Sequence, residues 1–103
     1  MNSDRFDFIF ENRIEKMRTT AHLKSTEYAP VDRLSNFKKA AAFRGTTLED
    51  ALFGMEVKHL VAIDDFIKRI PNDPPYEQWD EKINDSMLYF ILLDAIVIER
   101  KGK

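Results

Sequence analysis

Glu81 and Asp85 are four residues apart. On a helix their carboxylates emerge on one face about one turn apart and can share a divalent cation through hard oxygen ligands. The plainer use of two such acids is to sit near a helix N-terminus, where the dipole favours negative charge by about 0.3 to 1 kcal/mol. Asp64 and Asp65 form a second acid pair a turn and a half beyond Lys58 and His59, and one of the two falls beside Ile63 and Phe66 at the edge of an apolar stripe. His59 sits between Met55 and Ile63 on that stripe, where a neutral imidazole needs a hydrogen-bond partner once buried. His22 is the only other histidine, and no metal-ligand spacing joins the two, so a satisfied core or interface histidine is the simpler role. The densest collection runs from Lys24 through Glu27 and Tyr28 to Asp32, Arg33, Asn36, Phe37 and Lys38. Arg33 and Lys38 can hold phosphate, Glu27 can hold a metal, and Tyr28 or Phe37 can stack on a ring. The same residues can equally form an ion-paired corner pinned by aromatics. Asp94 interrupts an apolar run, and a buried, uncompensated carboxylate costs several kcal/mol, so it pairs with a base or lies on an exposed strip. Gly45 and Gly54 are isolated, and neither a phosphate-binding loop nor a nucleophile elbow is present.

Helices must position these groups. Residues 4–23 contain no Gly or Pro, and Phe6, Phe10, Ile14, Met17 and Ala21 recur at helical spacing, which predicts an amphipathic helix capped by Ser3 or Asp4. Residues 24–31 read as a connector, since Pro30 disfavours helical backbone at Ala29. Asp32 is placed to cap a short helix over 33–44, and Gly45 stands where a left-handed C-terminal cap is wanted. Thr46 and Glu49 have capping-box spacing and open a third helix over 47–70, whose stripe is Leu52, Met55, His59, Ile63, Phe66 and Ile70. The prolines between Pro71 and Pro75 end it. A fourth helix follows from Tyr76 to about Arg100, apolar nearly all round between 87 and 98. A helix stretch without a polar face must be covered on every side, as the centre of a bundle or at a subunit interface.

No alternating run offers a strand and no internal repeat appears. The expectation is a single all-α domain over residues 1–103, four antiparallel helices in a bundle-like arrangement, as a homo-oligomer. The 103 residues are 44% apolar and 33% charged, enough to build a core and too apolar for a disordered tail. A net charge of -2 gives no reason to expect nucleic acid or an anionic membrane surface as a partner. The absence of cysteine excludes disulfides, thiolate metal sites and thiol nucleophiles. No leader or long apolar span is read, and a cytoplasmic location is expected.

Taken together, Lys24, Glu27, Tyr28 and Ala29, then Asp32, Arg33, Leu34, Asn36, Phe37 and Lys38, then Met55, Lys58, His59 and Asp64, then Glu81, Lys82, Ile83, Asp85 and Tyr89 form a pattern that resembles a group of small phage and prophage proteins. That group is in turn distantly similar to the all-α nucleotide pyrophosphohydrolases, the MazG-like and dimeric dUTPase-like proteins. The resemblance implies a helical, oligomeric, phage-type nucleotide-handling protein residing in the host cytoplasm, possessing a Mg2+-dependent pyrophosphohydrolase activity if it is an enzyme. It implies Mg2+ held by Glu27, Asp64, Glu81 and Asp85, with Glu81 and Asp85 in the catalytic roles. Lys24, Arg33, Lys38 and Lys58 would neutralise phosphates, and Tyr28, Asn36 and His59 would complete the nucleotide pocket. Where that enzyme family has a glutamate three residues before the aspartate, this chain has Lys82. The alternative expectation is a non-enzymatic helical interaction protein that acts through oligomerisation or by binding a host protein.

Overall fold

The structure is a computed structural model; its description covers residues 1–27 and 32–103, and of residues 24–27 the backbone alone. Four helices account for the fold: α1 (Ser3–Glu27), α2 (Ser35–Arg44), α3 (Leu48–Lys68) and α4 (Tyr76–Lys101), with no strand among the described residues. The all-α expectation holds. None of these helices is long and apolar enough to cross a membrane.

Local chemistry explains the boundaries. Gly45 takes φ 66° and ψ 40° and its N–H donates back to the carbonyls of Ala41 and Ala42, the left-handed cap read from the sequence. α3 opens one residue later than expected. Thr47 is its N-cap, accepting from the Asp50 N–H at 3.0 Å, while the Thr46 hydroxyl donates to the Asp50 carboxylate at 2.7 Å. The cap is therefore made by Thr47 and Asp50 rather than by Thr46 and Glu49. Asp32 folds the turn before α2, its carboxylate accepting from the Leu34 N–H at 2.9 Å and from Lys38 Nζ at 2.7 Å. α1 continues through Ser25 and Thr26 to Glu27, further than expected, because Pro30 restricts only the residue directly before it.

Leu34 and Phe37 of α2, Leu52 of α3 and Ile96 of α4 form the buried centre, with Leu48, Met55, Tyr89, Leu92 and Leu93 packed around it. Phe37 meets Tyr89 edge-on at 6.0 Å, and Phe66 meets Trp79 edge-on at 5.2 Å. α2 packs on α3 and reaches α4 through Phe37 and the shared core, so these three helices enclose one core, and among the described residues α1 packs on α4 alone. α3 and α4 are antiparallel, Glu49 meeting Arg100 and His59 meeting Tyr89. α1 departs from the antiparallel expectation: Lys16 bonds Asp80 and Thr20 bonds Asn84, one offset on successive turns, so the two helices advance in the same sense along their contact. With α1 held by α4 alone, the arrangement is less compact than a closed four-helix bundle. The radius of gyration is 15.8 Å, against about 13 Å for a compact chain of this length.

Candidate functional site in the cleft between α1 and α4

The contact of α1 with α4 is polar, and it shapes a cleft of about 400 Å³ lined by Asn12, Glu15, Lys16, Thr19 and Thr20 on one side and Asp80, Glu81, Asn84 and Asp85 on the other. Asp80 anchors it. Arg13 Nη2 lies 2.6 Å and Lys16 Nζ 3.0 Å from the same carboxylate oxygen, and Lys16 also stands 5.3 Å over the Tyr76 ring. Burial pushes the Asp80 carboxyl up, but hydrogen bonds from Lys16 and Arg13, together with their charges, outweigh it and hold the group below its ordinary range. The bond to Asp80 raises Lys16 in turn. Asn84 is buried and donates to Thr20 Oγ1 at 2.9 Å, and Thr20 donates to the Lys16 carbonyl at 3.0 Å.

Both cations at the base of the cleft are thereby committed to Asp80. The remaining charges on its walls are the acids Glu15, Glu81 and Asp85; Glu15 is engaged by Arg18 at 3.1 Å, and Asp85 also has a partner. Of the residues singled out from the sequence, the cleft contains Glu81 and Asp85. Asp64 is exposed and bonded to Lys68 at 2.8 Å. Lys38 is paired with Asp32, while Arg33, Asn36 and Lys58 are exposed. The side chains of Lys24 and Glu27, and the whole of Tyr28, lie outside the described residues, as does the expected packing of the 24–31 connector over the α3–α4 junction. Among the described residues no three His, Asp or Glu side chains converge on a point where a metal ion would sit.

No family model, curated protein or solved structure matches the chain. The site therefore rests on its own geometry, and that geometry includes a group the sequence reading passed over. Glu56 is fully buried on α3 and neither carboxylate oxygen has a hydrogen-bond partner among the described residues. The same holds, among the described residues, for two buried atoms near it in sequence or on the facing helix: His59 Nδ1, one turn on, with its ring 5.1 Å from that of Tyr89, and Ser86 Oγ, one turn before Tyr89 on α4. Burial raises the Tyr89 hydroxyl, and the charges of Asp85 and Glu56 add to the effect. The available signal was spacing: Glu56 is four residues after Leu52 and three before His59, within the stripe that faces α4.

Proposed function

We propose that the chain is a helical interaction protein that acts through oligomerisation. The observation that carries this reading is the amount of apolar side chain left in water on the two central helices. On α3, Phe53, Val57, Leu60, Val61 and Ile67 are exposed, on the flank opposite Met55 and the core. On α4, Met87, Phe90, Ile91 and Ile98 are exposed, so the stretch between 87 and 98 is left open on one face by its own chain. Their spacings of three, four and seven are those by which one helix receives another. Single exposed apolar residues are ordinary, but rows of them at helical spacing on two neighbouring helices mark an interaction site. Light scattering across a concentration series tests the reading with the full chain. An assembly heavier than the 12.1 kDa chain is expected, and a monomer at every concentration would overturn it.

The cleft favours a second reading, the handling of a nucleotide. Glu81 and Asp85 stand a turn apart on its wall beside the amide and hydroxyl groups of Asn12, Thr19 and Thr20. The wall is acidic and its cations are occupied, so a phosphate would enter only with a cation. The described donors do not complete a Mg2+ site by themselves, which leaves Glu27 as the one further acid the resemblance assigns. Thermal melts with nucleoside triphosphates, with and without Mg2+, test this reading. Ligand at a hundred times its dissociation constant adds about 2.7 kcal/mol, and Asp85→Asn should erase the Mg2+-dependent part. No shift with any nucleotide would remove this reading.

A further inference from the structure

The helix that leaves the fold carries the surface that the fold is missing. Met17 on α1 is buried at the contact with α4, and Phe6, Ile9 and Phe10 continue the same face toward the N-terminus. Arg13 already reaches Tyr76, the first residue of α4, and every residue from Met1 to Asn12 is exposed. About three turns of α1 thus overhang the start of α4 with their apolar face uncovered, Phe6 stacked on Phe10 at 6.3 Å and the two rings 55% and 51% exposed. On α3 the ridge of Phe53, Val57 and Leu60 presents a second uncovered apolar face. The surface area is the deciding quantity. The chain exposes 7587 Å², whereas a compact protein of its mass exposes about 6,000 Å². The excess, on the order of 1,500 Å², exceeds the roughly 800 Å² that each partner of a standard stable interface buries.

We infer that the occupant of the α3 ridge is the overhanging face of α1 from a second copy of this chain, given reciprocally, so that a two-fold dimer has two identical seats. This rests on the oligomerisation reading and specifies how the copies join. A closed two-fold arrangement covers the α1 overhang and the α3 ridge of both copies at once, which a pairing of like faces does not. Outer residues of a bundle that serve only a loose surface have no need to continue the α4-facing stripe for three further turns.

Two exposed double variants and their mixture test the inference. Phe6→Lys with Phe10→Lys alters the donor face, and Val57→Glu with Leu60→Glu alters the ridge. Each variant alone, its helix content checked by circular dichroism, should be monomeric in sedimentation velocity where the wild type is dimeric, a weakening of about 100-fold. Mixed in equal amounts they should form a dimer again, because that pairing has one unaltered seat and one seat in which lysines face glutamates. A ridge variant that is monomeric beside an α1 variant that still dimerises overturns the inference and leaves the oligomerisation reading intact. So does a pair of monomeric variants whose mixture stays monomeric. A wild type that is itself monomeric at the same concentration removes the reading on which the inference rests.

Discussion

Glu56 concentrates the physics of this structure in one side chain. A carboxylate with no exposed area and no partner among the described residues lacks both the water and the hydrogen bonds that normally offset burial. Replacing such a group with an apolar residue of similar volume is neutral or stabilising, whereas a truly paired carboxylate cannot be removed without loss. Glu56→Met is therefore expected to raise stability by about 1 to 3 kcal/mol, read as a higher urea midpoint at unchanged slope. A lower midpoint would mean that something holds the carboxylate. Asp80 is the opposite case. Its folded carboxyl lies below the ordinary range, so the stability it contributes is present in full above the unfolded value of about 4 and is lost as pH falls through the lower folded value. With its side chain 28% exposed, Asp80→Asn should cost about 1 kcal/mol at neutral pH. Melts of wild type and variant should converge near pH 2, and a gap that persists there would show that geometry rather than charge was lost. Neither group was legible as what it is. A glutamate in an apolar stripe reads as a solvated charge, and the tie of Asp80 to Arg13 and Lys16 joins residues more than sixty positions apart.

Helices whose limits depend on nearest neighbours were readable, and those whose placement depends on distant ones were not. The prolines before α4 and the glycine after α2 act within a turn of themselves, so the breaks fall where the residues predict. Thr46 and Thr47 both have the chemistry of a cap, and the choice between them follows from how α2 and α3 meet, which spacing does not encode. The direction of α1 along α4 is set by Lys16, Thr20, Asp80 and Asn84, side chains that look like ordinary surface until the helices are brought together. The common face of Glu81 and Asp85 was legible from their four-residue spacing, and the cleft that face lines was not. The two inner glycines test the local half of this argument. Gly45, at φ 66°, should lose about 1 kcal/mol as Gly45→Ala, since an L side chain strains the left-handed cap. Gly54 lies inside α3, and a Cβ there would meet Arg44 Nη1 at 3.2 Å, the movable end of a long side chain. Gly54→Ala should therefore gain about 0.5 to 1 kcal/mol from helix propensity. Chemical unfolding of both variants checks the opposite signs, and two losses would mean that the Arg44 side chain cannot give way.

At the scale of the whole molecule, the attachment of α1 to α4 alone explains why so much apolar surface remains in water. α3 is covered by α2 and α4, and among the described residues no other element packs on its free flank, because α1 is carried past α4 instead. Among the described residues the one core cluster and its surroundings bury few large apolar side chains, chiefly Met17, Leu34, Phe37, Leu52, Phe66 and Ile96, which is thin support for a chain of 103 residues. Association would supply what closure of the bundle does not, and it would make stability a function of concentration. If the assembled form is the stable one, tenfold dilution should remove about 1.4 kcal/mol per dimer, a fall of a few degrees in Tm. Raising sodium chloride should leave that dependence in place, because screening weakens exposed ion pairs and not apolar contact, while sulfate should strengthen it. Calorimetry at two protein concentrations, each at low and high salt, makes the measurement. A Tm that does not move with concentration would mean that the single chain is stable alone, and that its exposed apolar faces await a different partner than a second copy.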